Sequence, residues 1–320
     1  MVARASLLLL LLAVSQSPAS ATDYDVCPNF VDCHCSDDVN SIGIFSDDGA
    51  LESCLSYLHE NKLLRFKKLH LSMANKNLRL TENLLKDIQF DEVFVYRANI
   101  VESNENFLGA SRETVLDINF FGCKFEVFPR INSSSLVRFV TEETSLLDIP
   151  GNAFLTPQLK EIKIQGGTSN LTLNSGAMEP LSHLEQFNLF GVSTVHLATD
   201  SFKLSSPTFK IFNSTARMTA ESGAFSGFTN GSALIIVDFI GPWTHDVFYD
   251  LLSGGATITT LGGQSCQCDM AWIRYSSFLP QMATVRCVSN DFQHPYPLSA
   301  ETFVECPIAD LDQDMLANCF

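Results

Sequence analysis

The sequence predicts an α/β solenoid, with one parallel concave sheet built from short repeats and a stapled cap at each end. Three observations predict it: an apolar hexapeptide pattern that recurs along the chain, a second apolar marker on the same period, and two groups of four cysteines flanking the array. The pattern is clearest in Leu184-Glu185-Gln186-Phe187-Asn188-Leu189, where the first, fourth and sixth places are apolar. Phe66, Leu69 and Leu71 match it, as do Phe90, Val93 and Val95, then Val115, Ile118 and Phe120, then Leu159, Ile162 and Ile164. Leu234, Val237 and Phe239 are read the same way downstream. Leu136 with Phe139, and Phe209 with Phe212, fit with Thr141 and Ser214 at the sixth place.

The hexapeptides start at 66, 90, 115, 136, 159, 184, 209 and 234, so the spacings are 21 to 25 residues. That is the range of a leucine-rich repeat, in which each unit is one strand plus a loose return. The marker Asn152-Ala153-Phe154, Gly176-Ala177-Met178, Asp200-Ser201-Phe202 and Gly223-Ala224-Phe225 follows at 23 to 24 residues, placing an apolar plug on the convex side of each coil. No single repeat buries its apolar face, but stacked neighbours make a continuous core. The expected fold is therefore a right-handed leucine-rich repeat solenoid of about eight repeats over residues 66–260.

Residues 1–21 read as a secretory signal peptide: Arg4, the apolar run Leu7 to Val14, then Ala19-Ser20-Ala21 at the cleavage site. The apolar run is far shorter than the ~20 residues a membrane span needs, and residues 309–320 form an acidic tail unlike a lipid-anchor signal. The expected product is secreted and soluble, with no membrane partner. The formal charge of −16 becomes −17 when Arg4 is removed. That balance argues against nucleic acid, which is bound through basic patches, and favours solubility or a basic partner.

Cys27, Cys33, Cys35 and Cys54 precede the first repeat, and Cys266, Cys268, Cys287 and Cys306 follow the last. In an exported chain these read as disulfide staples of an N-terminal cap (22–65) and a C-terminal cap (261–308). Zinc is the competing reading, but the Cys-x-Cys spacing is unlike paired Cys-x-x-Cys ligands. Sequence alone allows three connectivities in each group. Cys123 falls at the ninth place of its repeat, where it reads as a buried thiol or as a partner for Cys319. Sequons at Asn132, Asn170, Asn213 and Asn230 are expected glycosylation sites, although the register puts Asn213 on a strand.

No metal-ligand spacing, nucleophile motif or phosphate-cradling loop occurs, so no catalytic, cofactor-binding or metal residue is assigned. The acidic pairs Asp37-Asp38 and Glu142-Glu143 read as solvated loop charges, and Gly254-Gly255 and Gly262-Gly263 as turns. What the repeats predict is a binding surface, because the third, fifth and seventh places point away from the core. The fifth place runs His70, Phe94, Asn119, Val140, Lys163, Asn188, Asn213, Asp238; the seventh runs Ser72, Tyr96, Phe121, Glu142, Gln165, Phe190, Thr215, Ile240. Phe94, Tyr96, Asn119, Phe121, Asn188 and Phe190 are the expected partner-binding residues, since clustered exposed aromatics dominate binding hot spots. The alternatives are a covering segment or a register slip that makes them core.

The signal peptide, the Cys27-Pro28 opening, the repeats and the run Cys266-Gln267-Cys268-Asp269-Met270-Ala271-Trp272 resemble extracellular leucine-rich repeat proteins, over essentially the whole mature chain. In that family a Trp after the Cys-x-Cys packs over the end of the core, and Trp272 holds that place. The resemblance implies that each cap pairs first with third and second with fourth cysteine. More narrowly, the length of 320 residues, the acidic repeats and the acidic tail resemble the non-catalytic repeat subunits of shrimp luciferases. That resemblance implies a luciferin 2-monooxygenase complex. In it, a separate small catalytic subunit oxidises coelenterazine with O2, releasing CO2 and light, while the repeat chain holds and stabilises that subunit. The chain departs from the family in its poor ninth-place Asn ladder, which puts regular coil geometry in doubt. Two other classes stay open: a generic extracellular recognition protein for a matrix or innate-immune ligand, and an enzyme in its own right.

Overall fold

The computed structural model describes residues 24–25, 30–36, 40–45, 48–167, 170–288, 295–299 and 302. The chain is strand-rich, with few helices and one long, mostly parallel sheet. Its strands lie side by side in chain order: Ser41–Phe45, Arg65–Ser72, Gln89–Tyr96, Asp117–Phe121, Arg138–Glu142, Glu161–Gln165, Gln186–Phe190, Ile211–Ala220, Ala233–Phe239, Thr257–Ser265 and Thr284–Val288. Short antiparallel strands, His34–Ser36 and Tyr296–Pro297, close the two edges.

The register follows the hexapeptide. Ile42, Leu69, Val93, Ile118, Phe139, Ile162, Phe187, Phe212, Leu234 and Ile258 stand opposite one another as the fourth place of successive coils, and all are buried. Alternation of side chains across a strand puts the sixth place on the same inner side, so Thr141 and Ser214 are buried there with the apolar residues. Phenylalanines fill the interior: the Phe187 ring lies 5.2 Å from Phe202 and 5.1 Å from Phe212.

A second set of short strands runs along the coils, including Asn170–Leu173 paired to Thr194–Leu197 and that in turn to Arg217–Ala220 of the long strand. The convex marker follows. Ala153, Phe154, Ala177, Met178, Ser201, Phe202, Ala224 and Phe225 are all fully buried. Its first residue has a left-handed backbone in all four instances, with φ of 55°, 71°, 58° and 71° at Asn152, Gly176, Asp200 and Gly223. Glycine, Asn and Asp tolerate that conformation, which is why those types alternate there. Each amide then donates to the next coil, Asn152 to Gly176, Gly176 to Asp200 and Asp200 to Gly223.

Where the ninth-place Asn ladder is poor, buried hydroxyls tie the returns together instead. Ser111 Oγ donates to the Ile88 carbonyl (2.8 Å) and accepts from the Phe90 amide (3.1 Å). Ser133 Oγ does the same with Arg112 and Leu136, and Ser206 Oγ donates to Leu184.

Three expectations need correction. Leu234 occupies the fourth place rather than the first, with Ile236 at the sixth. The Ala233–Phe239 strand runs past its corner, so Asp238 pairs with Arg217 and Phe239 with Met218 in the second strand set. Asp238 and Ile240 therefore do not continue the fifth and seventh places; Ile235 and Val237 do. Second, the ladder extends beyond 66–260 at both ends, to Ser41–Phe45 and to Thr284–Val288. Third, Gly262-Gly263 lies within a strand, where a Cβ on Gly263 would meet Val288 Cγ1 at 2.1 Å; Gly254-Gly255 does end a helix, His245–Ser253. The thiol of Cys123 is free and buried, as the first of its two sequence readings has it.

Cys33 is bonded to Cys54 and Cys266 to Cys287, and Cys35 and Cys268 are also disulfide-bonded. The signal peptide 1–21, Cys27, Asp37-Asp38, Cys306, the tail 309–320 and Cys319 lie outside the described residues. Trp272 is buried, its Nε1 donating to the Trp243 carbonyl at 2.7 Å over the last coil. Among the described residues no helix is long and apolar enough to cross a membrane.

Phe187→Ala is expected to cost about 3–5 kcal/mol, the usual penalty for emptying a packed aromatic site, and Gln186→Ala on the outward side less than about 0.5 kcal/mol. Urea unfolding of both variants checks this; equal costs would contradict the inward–outward assignment.

Candidate functional site

Parallel sheets normally have both faces covered, whereas the outward side of this one is open along most of its strands, with Asn119 and Val140 buried on it. The burial of Glu161–Gln165 alternates intermediate, buried, intermediate, buried, exposed. Its outward face is therefore the surface to inspect.

In the N-terminal half that face is aromatic. His70 and Phe94 occupy the fifth place of adjacent strands and Tyr96 and Phe121 the seventh. Strands ≈ 4.8 Å apart force rings at equivalent places to stack. His70 lies 4.9 Å from Phe94 with planes 7° apart, and Tyr96 lies 5.2 Å from Phe121 at 13°. Phe94 joins the two rows, 6.4 Å from both Tyr96 and Phe121. Each such pair contributes roughly 0.5–1.5 kcal/mol beyond area burial, so the row is preformed rather than assembled by a ligand. All four rings remain partly open to solvent.

One strand before it, Phe45 stands at the seventh place opposite Ser72. The Phe45 ring folds over Gly43, where a Cβ would meet it at 2.8 Å, and stays 52% exposed beside His34. Phe45 and His34 escaped sequence reasoning because their strand was assigned to the cap. The signal was present in Ile42 and Ile44, 27 residues ahead of Leu69 and Leu71.

Charges flank the rings in mutually neutralising pairs. Lys68 Nζ lies 2.9 Å from Glu92 and over the Phe94 ring at 5.5 Å, Lys163 Nζ lies 3.2 Å from Glu142, and Arg138 pairs with Asp117. The hydrogen bond that Arg138 Nε donates to the Asp117 carboxylate raises the Arg138 pKa, against the opposing effect of burial. Exposed pairs of this kind add about 0–1 kcal/mol each; they set the charge pattern more than the stability.

Of the six expected partner-binding residues, Phe94, Tyr96 and Phe121 meet in one cluster. Asn188 and Phe190 lie further along the same face, both half-buried, and Asn188 Nδ2 reaches Gln186 Oε1 at 3.5 Å. Asn119 is the correction: it is only 4% exposed, enclosed between Phe94 and Val140, and its Nδ2 meets no acceptor among the described residues. Large neighbours at its own register place close over a short side chain.

The C-terminal half is aliphatic. Ile211 and Ile235 are half-buried, Val237 likewise, and Leu261 is 61% exposed. The sequence register had Asp238 and Ile240 in this region, so the patch was not legible. Among the sequons, Asn170 and Asn230 are exposed, Asn132 donates its Nδ2 to Asn106 Oδ1 at 3.3 Å, and Asn213 sits in the outward row.

Among the described residues no cluster of three or more His, Cys, Asp or Glu is placed to hold a metal ion. Burial pushes the Cys123 thiol pKa up to about 11, against backbone hydrogen bonds with Ala98, Phe121 and Arg97 that lower it, and leaves the thiol unsuited to nucleophilic work. No protein-family model and no curated protein matches the chain.

His70 has its pKa lowered, first by burial among the rings and then by Lys68, against an opposing pull from Glu92; its Nδ1 lies 3.5 Å from the Tyr96 hydroxyl. A histidine with a depressed folded pKa favours folding above its unfolded value of 6.5. That contribution is lost as pH falls through the lower folded value. The melting temperature is expected to drop on acidification below pH ~6.5, and His70→Gln to drop less. Parallel melting curves over pH would contradict this.

Proposed function

We propose that the chain is a secreted, non-catalytic leucine-rich repeat scaffold that binds a protein partner on the outward face of its parallel sheet. The observation that carries the binding half of this reading is the stacked, partly exposed aromatic cluster of His70, Phe94, Tyr96 and Phe121, with exposed Phe45 one strand before it. A cluster of stacked, partly exposed aromatic side chains is what binding hot spots are made of. Its rings are held by mutual stacking, so little ordering entropy is lost on docking. Disulfides at both ends of the ladder suit an oxidising, extracytoplasmic compartment.

The partner's identity comes from the resemblance of the caps, repeats and tail to luciferase repeat subunits. It makes the occupant the small catalytic subunit of a luciferin 2-monooxygenase complex. The scaffold would then act by mass action: binding only the folded catalytic chain at 100 times Kd stabilises it by about 2.7 kcal/mol. In the second reading the same aromatic row takes a matrix or innate-immune ligand.

Purification of the native complex, followed by separation of its chains, tests both. A small co-purifying chain that alone emits light with coelenterazine is the expected result; light from the isolated repeat chain would overturn the non-catalytic role. A matrix or glycan ligand in place of that chain would favour the second reading. Phe121→Ala and Phe94→Ala are each expected to weaken capture of the co-purifying chain by about 2 kcal/mol, or roughly 30-fold. Unchanged capture by a folded variant would remove the aromatic row as the docking surface.

A further inference from the structure

We propose that an N-linked glycan on Asn213 covers the aliphatic C-terminal half of the outward sheet face and leaves only the aromatic half open to a protein partner. This rests on the secretion part of the reading above.

Asn213 stands at the fifth place of Ile211–Ala220, with Asn188 opposite it on one side and Ile235 on the other. Asn213-Ser214-Thr215 is a sequon lying across the sheet, unlike Asn170 and Asn230, which sit away from the outward row. Its carboxamide buries Oδ1 without a partner, while the side chain as a whole stays half-open. The nitrogen is thus the end presented to solvent, and the nitrogen is the end that carries a sugar. Short, polar Asn188 leaves room on one side of it, with Ile235 on the other, whereas the equivalent Asn119 stands between Phe94 and Val140 and is only 4% exposed.

The surface that such a glycan would overlie is the part in need of cover. Ile211, Ile235, Val237 and Leu261 form exposed or half-exposed apolar area with no aromatic anchor. Exposed apolar patches are either docking sites or association liabilities, and a bulky solubilising glycan removes the liability. The transfer needs a lipid-pyrophosphate-linked oligosaccharide of the secretory pathway. The Asn213 amide nitrogen forms a bond to the anomeric carbon, the bond from that carbon to the lipid pyrophosphate breaks, and the nitrogen gives up one proton as the lipid pyrophosphate leaves.

The test uses the full chain expressed in a glycosylating eukaryotic host, with site occupancy read by glycopeptide mass spectrometry and exposed apolar surface read with a hydrophobic fluorescent dye. Asn213 is expected to be occupied. Asn213→Gln and Thr215→Ala should each lose one glycan and gain dye fluorescence, while Thr215→Ser keeps the glycan and the low signal. A bare Asn213 beside an occupied Asn170 would overturn the inference and leave the secretion reading standing; four bare sequons would overturn both. An occupied Asn213 whose removal leaves dye binding unchanged would overturn the covering role.

Discussion

Everything in this molecule depends on one constraint: each strand of the long sheet finds its backbone partners only in the coils before and after it. A coil taken alone has an apolar inner side with nothing to pack against. The fourth-place ladder from Ile42 to Ile258 meets that need by aligning one buried side chain per coil, and rings such as Phe187 and Phe212 then pack between coils as well as within them. The edges of such a ladder are its weak points. Here the Cys33–Cys54 and Cys266–Cys287 disulfides, short antiparallel strands and the buried Trp272 stand at those edges.

The same constraint creates the outward face. Alternation along each strand sends every second side chain away from the core, and neighbouring strands bring like places to within about 5 Å. Residues far apart in sequence, such as Phe45, His70, Phe94 and Phe121, thereby become one surface. Their stacking is a consequence of strand spacing and not of any local motif. The charged pairs around it, Lys68 with Glu92 and Lys163 with Glu142, neutralise each other across strands. Apolar contact is left as the main attraction available there.

Legibility followed the strength of the local pattern. Where all three apolar places were filled, as in Phe90-Val93-Val95 and Leu159-Ile162-Ile164, the register read from sequence is the register in space. Around Leu234 the run Leu234, Val237, Phe239 fits the hexapeptide, whereas in space Leu234 and Ile236 are the inward pair and Phe239 is buried in the second strand set. The strand runs through a corner, so Ile236 and Phe239 are apolar for different reasons. The strand Ser41–Phe45 was hidden because only two inward places, Ile42 and Ile44, lie between polar residues and a cysteine cluster. Asn119 was placed correctly on the outward side, yet its burial depended on the size of Phe94 and Val140 in the adjoining strands.

By itself the sequence determined the period, the inward and outward sides of most strands, and the aromatic cluster of Phe94, Tyr96 and Phe121, because these follow from alternation within a few residues. It also determined the left-handed turn at the convex marker, where only Asn, Asp or Gly appear. The tertiary structure alone decided how far the ladder extends, which apolar residues belong to which strand set near Leu234, that Asn119 is enclosed, and that Phe45 lies over Gly43. Each of those depends on what a neighbouring coil, more than twenty residues away, places against the side chain. No local pattern carries that information.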